Sequence, residues 1–477
     1  MDKIFCCSCL KRSLLRTKHY FDNSGIHGLH YITEPKRHFT ERLFWCAVCT
    51  LASLATFNTL IITWYNFQHN AVNFGVTTAY LEWNTTFPSI SVCENEAPDK
   101  IFDSGSSLYG EDRNMNIDFF VRDVAFFDGT CNSCSVHCGI TVNCSENLDG
   151  IVSGVRATCD DYIDDCSWNG VPFNCCLHFL PLKTEIGVCY SLNSVHTKSA
   201  EGVEKLELIS NQQTGPGRLE FSVFEATKLF IHSKDDVPSL NHPQEEKIIL
   251  NWGVSLDMVV HVTEIENDPN LEEVSVVQRN CRFPEENILR TYDYYSYSAC
   301  VVDCRTSLGI KLCNCTHHFM PKIPGIKTCG IAGLACLTQH SEILRTLKPK
   351  GSAKPGLDCD CMSSCTEPEY TVVSKNSPQD DKIEGTRISI AMDALPAHRF
   401  KRNVVRTKLD LVVSMGGTIG LFLGMSLLSF VEWFYFMFVR KWTHCEESAE
   451  TKLGKSVIFR PTPAVGLRND DFLPFIR

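Results

Sequence analysis

The chain has 477 residues, 26 of them cysteine, and a formal net charge of −11. Its mean hydropathy of −0.08 is too low for a bundle of many spans, and only two segments qualify as membrane-crossing. There is no nucleophile elbow, His-Glu-x-x-His or phosphate loop, so no enzymatic activity, cofactor, metal or nucleic-acid partner is expected.

Residues 1–42 form a short basic tail of net charge +4. Cys6, Cys7 and Cys9, beside a membrane, are either palmitoylation sites or plain cytosolic thiols. His27-Gly28 lies about fifteen residues before the first span and matters only in combination with later motifs. That span, Leu43 to Trp64, carries no charge. It begins too late and runs too long for a cleaved signal peptide, so it reads as a signal anchor. Lys36, Arg37 and Arg42 precede it and no Lys or Arg follows closely, which puts the N-terminus in the cytosol. A second span returns the C-terminus to the cytosol, in agreement with Arg440 and Lys441. Arg399, Lys401, Arg402, Arg406 and Lys408 crowd the outer end of that span and disagree; the first helix is taken to decide. The expected organisation is an N-terminal tail (1–42), a first transmembrane helix (43–65), an extracellular cysteine-rich domain (66–408), a second transmembrane helix (409–439) and a C-terminal tail (440–477).

The region between the spans is acidic and holds 20 cysteines, an even, dense set that reads as disulfides in an oxidising compartment. Three glycosylation sequons, at Asn84, Asn143 and Asn314, lie in it, the last two overlapping cysteines. Ile90 and Val92 alternate as in a strand. A loop-rich stretch, Cys131 to Cys176, follows; its Cys131-x-x-Cys134 is read as disulfide-bonded rather than metal-binding. Residues 218–280 hold strand-like runs, among them Lys247 to Trp252 and Met258 to Val262, and look like sheet. Tyr297 to Leu312 reads as a helix with Cys300 and Cys304 one turn apart on one side. Cys359-Asp360-Cys361 alternates as a strand does. His317 and His318, beside Cys313 and Cys315, are expected to be plain surface. Thr386 to Met392 is a strand leading through a basic linker into the second span.

The second span, Leu411 to Val439, contains one charge, Glu432. Gly416, Gly420 and Gly424 recur every fourth residue and share one helical face, which lets helices approach closely. Gly424-Met425-Ser426 follows, then Ser429 and Glu432. Small residues, hydroxyls and a carboxylate in one span suit a polar path, but they suit an anchor with a dimerisation face equally.

In combination these pieces resemble the degenerin/epithelial sodium channel family, most closely its insect pickpocket branch. The resemblance runs from about His27 to Phe436. Its motifs are His27-Gly28, Phe87-Pro88-x4-Cys93, Gly187-x-Cys189-Tyr190, Cys300-x3-Cys304 with Cys313-x-Cys315, Cys359-x-Cys361-x3-Cys365, and Gly416-Gly417-x2-Gly420-x3-Gly424-x-Ser426-x2-Ser429-x2-Glu432. It implies a membrane protein with two transmembrane helices and a large disulfide-rich α+β ectodomain, with a palm sheet and a helical thumb. It further implies a trimeric, voltage-independent, amiloride-sensitive sodium channel of the plasma membrane, a homo- or heterotrimer of related subunits. The implied bridges are Cys93–Cys189, Cys281–Cys365, Cys300–Cys361, Cys304–Cys359, Cys313–Cys336 and Cys315–Cys329, with Cys166 joined to Cys175 or Cys176. Six ectodomain cysteines stay unassigned.

By the same resemblance, Gly424, Met425 and Ser426 form a selectivity filter. His27-Gly28 forms a re-entrant gating loop. Asp410 and Glu432 stand near the outer and inner ends of the pore, amiloride-like blockers sit near Gly417, and Val413 occupies a gating position that usually carries a smaller residue. Two other readings remain: a two-span lipid-binding scavenger-type receptor, disfavoured by the Gly-x-Ser span, and an ATP-gated trimeric channel, disfavoured by the cysteine order.

Overall fold

The structure is a computed structural model that describes residues 20–22, 24–78, 83–140, 143–199, 202–203, 206–380 and 382–436. Cys6, Cys7, Cys9, Arg440 and Lys441 lie outside the described residues. The chain divides into two compact units, Met1–His69 with Arg406–Arg477, and Asn70–Val405. The principal helices are α1 (Leu29–Thr33), α2 (Phe39–His69), α3 (Pro98–Tyr109), α4 (Met115–Ala125), α5 (Leu148–Val155), α6 (Tyr297–Cys313), α7 (Ile331–Gln339), α8 (Lys408–Leu423) and α9 (Leu427–Phe434). The strands are β1 (Val72–Thr77), β2 (Thr85–Thr86), β3 (Ser89–Glu96), β4 (Ile163–Trp168), β5 (Val171–Pro172), β6 (Leu180–Thr184), β7 (Gly187–Leu192) and β8 (Ile209–Ser210). They continue with β9 (Arg218–Val223), β10 (Ala226–His232), β11 (Lys247–Leu250), β12 (Ser255–Asn267), β13 (Glu369–Asn376), β14 (Thr386–Met392) and β15 (Arg399–Val404).

In the larger unit an eight-stranded sheet runs β1-β15-β12-β14-β9-β4-β5, with β13 also paired to β12. A five-stranded sheet runs β11-β10-β3-β7-β6. Ile90 and Val92 of β3, Leu229 of β10, Phe221 of β9 and Met258 and Val260 of β12 meet in one buried core. The opposite face of β3 is buried as well, and it is polar. Ser91 there bonds Ser191 at 2.8 Å and the His232 ring at 2.7 Å, so its hydroxyl is satisfied.

A second core is helical. On α4 the apolar residues Ile117, Phe120, Val121 and Val124 follow the one-face helical spacing, and the Asn114 side chain caps the helix by accepting from the Asn116 amide. They pack with Ile151 and Val155 of α5 and Leu334 and Leu337 of α7. The cysteine-crowded stretch expected to be mostly loop therefore includes a packed helix, α5, among its disulfides. They join Cys131 to Cys134, Cys138 to Cys144, Cys159 to Cys176 and Cys166 to Cys175.

Ser296 caps α6, its hydroxyl accepting from the Ala299 amide at 3.1 Å, and Asn314 ends it in the left-handed region with φ 56°. Cys300 and Cys304, four residues apart on this helix, bond Cys361 and Cys359. The Cys359–Cys361 segment is irregular rather than a strand: it has no ladder partner, and the two bonds hold it against the helix instead. Cys281–Cys365, Cys313–Cys336, Cys315–Cys329 and Cys93–Cys189 complete the set.

Two further expectations are corrected. The basic linker begins as β15. It runs parallel to β12 in a register that sets Arg399 opposite Glu264 and Lys401 opposite Glu266. Arg399 pairs with Glu264, and Lys401 reaches Glu266 at 3.3 Å, so these cations are neutralised within the sheet. His317 and His318 are not plain surface. Both ring Nδ1 atoms are buried without a partner among the described residues. Burial first, and then the neighbouring His318 ring and Arg305, push His317 down to about 3; burial, against a hydrogen bond to the Val124 carbonyl, pushes His318 down to about 4. Both stay neutral at ordinary pH.

Candidate pore site

In the smaller unit, α2 has 31 residues and is long and apolar enough to cross a membrane. At 1.5 Å per residue it extends roughly 46 Å, past the ~30 Å hydrocarbon core. The second apolar region is a pair, α8 and α9, bent by 72° and passing the same test only if counted together. Thr407 and Asp410 start α8 with a reciprocal cap: the Thr407 hydroxyl accepts from the Asp410 amide at 3.2 Å, and the Asp410 carboxylate accepts from the Thr407 amide at 2.9 Å. Asp410 is thus exposed but already half occupied.

Gly424, at φ 63°, stops α8 in the left-handed region, where a residue without Cβ is favoured. Ser426 starts α9 with a second reciprocal cap, its amide donating to the Ser429 hydroxyl at 3.2 Å and its hydroxyl accepting from the Ser429 amide at 3.4 Å. Gly424 to Ser426 is therefore a built interruption, its two edges chemically defined. Ser429 is 7% exposed; its hydroxyl shapes the break instead of facing outward. Glu432 is exposed one turn further on.

The segment from Gly25 to Gly28 lies along this break. The His27 amide donates to the Leu423 carbonyl at 3.2 Å, supplying a partner to an acceptor at the helix end. A Cβ on Gly424 would stand 2.1 Å from His27 Nδ1, and one on Gly28 2.6 Å from Cys49 Sγ. A Cβ on Gly25 would fall 3.6 Å from Glu432 Oε2 and 3.7 Å from Ser429 Oγ. The structure therefore brings His27, Gly28, Gly424, Ser426, Ser429 and Glu432 together. Gly416 and Gly417 have open space beside them, and Val413 is 64% exposed. Gly25, which the sequence reading did not single out, lies close to Ser429 and Glu432, with room there for a methyl group in ordinary contact. Asn84, Asn143 and Asn314 are exposed in the larger unit.

A family model described as amiloride-sensitive sodium channel matches residues 20–436, so the chain belongs to that family. Pickpocket protein 19 of Drosophila melanogaster is 23% identical over 465 residues, covering 86% of this chain and 88% of that one. Sodium channel protein Nach of Drosophila ananassae is 25% identical over 474 residues, covering 91% and 88%. Acid-sensing ion channel 2 of the rat is 25% identical over 291 residues, 54% of this chain and 53% of that one. The family consists of ion channels, and the chain is a cation-channel subunit, not an enzyme. The lipid-receptor and ATP-gated readings fall away with it.

Proposed function

We propose that this chain is a subunit of a sodium-selective, voltage-independent, amiloride-sensitive channel of the plasma membrane. Both termini face the cytosol, and three identical or related subunits surround the pore. The observation that carries this reading is the built break at Gly424–Ser426 in an apolar stretch, Leu411 to Val439, whose one charge is Glu432. Three copies of Gly424, Met425 and Ser426 turn backbone carbonyls toward the axis, where they replace part of the sodium hydration shell. Irregular backbone at membrane depth is tolerable there because it lines water rather than lipid. The open space at Gly416 and Gly417 receives a neighbouring helix, with Gly420 lining the same path, Val413 at the crossing and blockers near Gly417. Asp410 and Glu432 concentrate cations at the two ends, and His27–Gly28 props the break from the cytosolic side. Residues 66–408 lie outside the cell with glycans at Asn84, Asn143 and Asn314.

The test is expression of the chain alone and with related subunits, recording amiloride-sensitive sodium current. Ser426→Cys is expected to lower the sodium-to-potassium permeability ratio, and Glu432→Gln to lower conductance while selectivity holds. Unchanged selectivity in Ser426→Cys channels moves the filter elsewhere.

A further inference from the structure

Several cations of the larger unit are neutralised within the fold: Arg305 pairs with Glu185, Lys100 with Glu225 and Arg399 with Glu264. Residues 343–357 depart from this. They carry Arg345, Lys348, Lys350 and Lys354 and no Asp or Glu, in a region that is otherwise acidic. They close into a hairpin. The Lys348 amide donates to the Leu357 carbonyl and the Leu357 amide to the Thr346 carbonyl, each at 2.8 Å. A Cβ on Gly356 would stand 2.7 Å from the Thr346 oxygen, so glycine lets the two arms come this close. Just beyond, Cys359 is bonded to Cys304 of α6, which anchors one arm. At the tip, Lys350 and Lys354 are exposed. Lys350 reaches Asp360 at 2.8 Å, but the two side chains are 80% and 78% exposed, and such a pair holds weakly in water. The side chains of Lys348 and Lys354 have no hydrogen bond or ion pair among the described residues.

Two more lysines stand beside the hairpin. The register sets Lys228 of β10 opposite Ile249 and Phe230 opposite Lys247 of β11, so Lys228 and Lys247 are diagonal neighbours on one face. Neither side chain has a hydrogen bond or ion pair among the described residues. Lys228 is half-buried. Burial pulls its pKa below the ordinary lysine value, Asp128 opposes the fall, and the like charges of Lys247, Arg156 and Arg345 add to it. Arg345 thus joins the hairpin to the lysine pair. Its guanidinium already holds the Asp128 carboxylate at 3.0 Å, so that one anion serves both Arg345 and Lys228. Glu246, next to Lys247 in the chain, faces His242 at 3.3 Å instead. Leu347 of the hairpin and Glu246 line one cavity, which sets the two basic groups side by side.

We propose that the hairpin and the adjoining face of β10 and β11 form a docking surface for a sulfated polysaccharide. A linear chain of closely spaced sulfates supplies the acceptors that Lys228, Lys247, Lys348 and Lys354 lack. The closed hairpin presents its cations already ordered, which lowers the entropy lost on binding. The choice of polyanion rests on the reading that residues 66–408 lie outside the cell, where sulfated glycans rather than nucleic acids are met.

The probe is a heparin octasaccharide, titrated against the full chain purified in detergent beside the same oligosaccharide stripped of its sulfates. Saturable binding of the sulfated form alone is expected. The affinity should fall at least tenfold in a variant combining Lys228→Gln, Lys247→Gln, Lys348→Gln and Lys354→Gln. Should that variant fail to fold, hydrogen exchange of the wild-type protein decides: the octasaccharide is expected to slow the amides of residues 346–357. Undiminished binding in the variant, equal binding of the desulfated form, tighter binding of a DNA duplex of equal charge, or an unprotected hairpin would each overturn the surface. Binding to purified protein does not depend on the side of the membrane that residues 66–408 occupy, so a failure here is distinct from a failure of that topology.

Discussion

The two units are held together by different means. Residues 70–405 carry ten disulfides and, among the described residues, two large buried cores with two smaller ones, and most of their geometry is fixed by covalent closure and close packing. The break in the smaller unit is held by one main-chain hydrogen bond from His27, a reciprocal serine cap and the missing Cβ atoms of two glycines, Gly28 and Gly424. Large changes are needed to disturb the first; a single methyl group suffices for the second. Small noncovalent terms fix the break, and large ones fix the larger unit.

The strongest way to sharpen the contrast is within the ectodomain itself. Cys281–Cys365 closes a loop of 84 residues and Cys131–Cys134 one of 3. In the chain-entropy account the first contributes about 4.6 kcal/mol and the second about 1.6. Replacing each pair by serine and following unfolding in denaturant is expected to reproduce that order. Equal losses would mean that packing, not closure, governs the thumb.

Gly424→Ala tests the other unit. It places a methyl group where His27 stands and forces alanine into a left-handed conformation, at a cost of about 1–2 kcal/mol before any displacement of the ring. Normal amounts of channel at the surface with little or no current are expected, and His27→Ala in the same chain is expected to restore part of it. Full current in Gly424→Ala would show that the contact does not constrain the break.

A smaller effect is expected at the root of α6. Burial first, and then the neighbouring Asp236, raise Glu367 well above the ordinary carboxylate value. Against its own burial, hydrogen bonds from Glu367 and Ser298 hold Asp236 below that value. Above about pH 4.5 the native state therefore binds a proton at Glu367 that the unfolded chain has released, and stability falls as pH rises through that range. Asp236 acts oppositely, losing stability as pH drops below its unfolded value. Glu367→Gln keeps a donor for Asp236 and removes the titration. Its unfolding midpoint should vary less between about pH 5 and 8 than that of the wild type.

The least change is expected at Val413. Overpacking at a helix crossing costs about 1–3 kcal/mol per site, and a penalty of about 1.4 kcal/mol confined to the closed state shifts gating tenfold. Resting current is expected to fall in Val413→Ser. Equal resting currents, with both proteins at the surface and conducting when stimulated, would remove Val413 from gating.

What the sequence made legible follows the same division. The α6 helix was readable because Cys300 and Cys304 lie one turn apart; the glycines and serines of the second span suited a polar path and an anchor equally, and only the family resemblance singled out Gly424 to Ser426. The partners of Cys131, Cys138 and Cys159 were not, since short local loops admit several pairings at similar cost. The ladder of Glu264 and Glu266 against Arg399 and Lys401 was also hidden. Its partners are 135 residues apart, and their register is set by a parallel pairing that no local pattern announces. His317 and His318 were misjudged because burial is imposed on that loop by Phe127 and α4, far away in sequence.

The β15 strand has two neighbours that would yield differently under load. It pairs antiparallel with β1, Val72 opposite Val404 and Thr77 opposite Arg399, so both chains leave for the helices at the same end of the ladder. A force drawing Val72 from Val404 opens that ladder like a zip, one residue pair at a time. Beside β12 the pairing is parallel. A tug along β15 there must shear four residue pairs and two ion pairs at once. The same strand is compliant to lateral separation and stiff to axial pull.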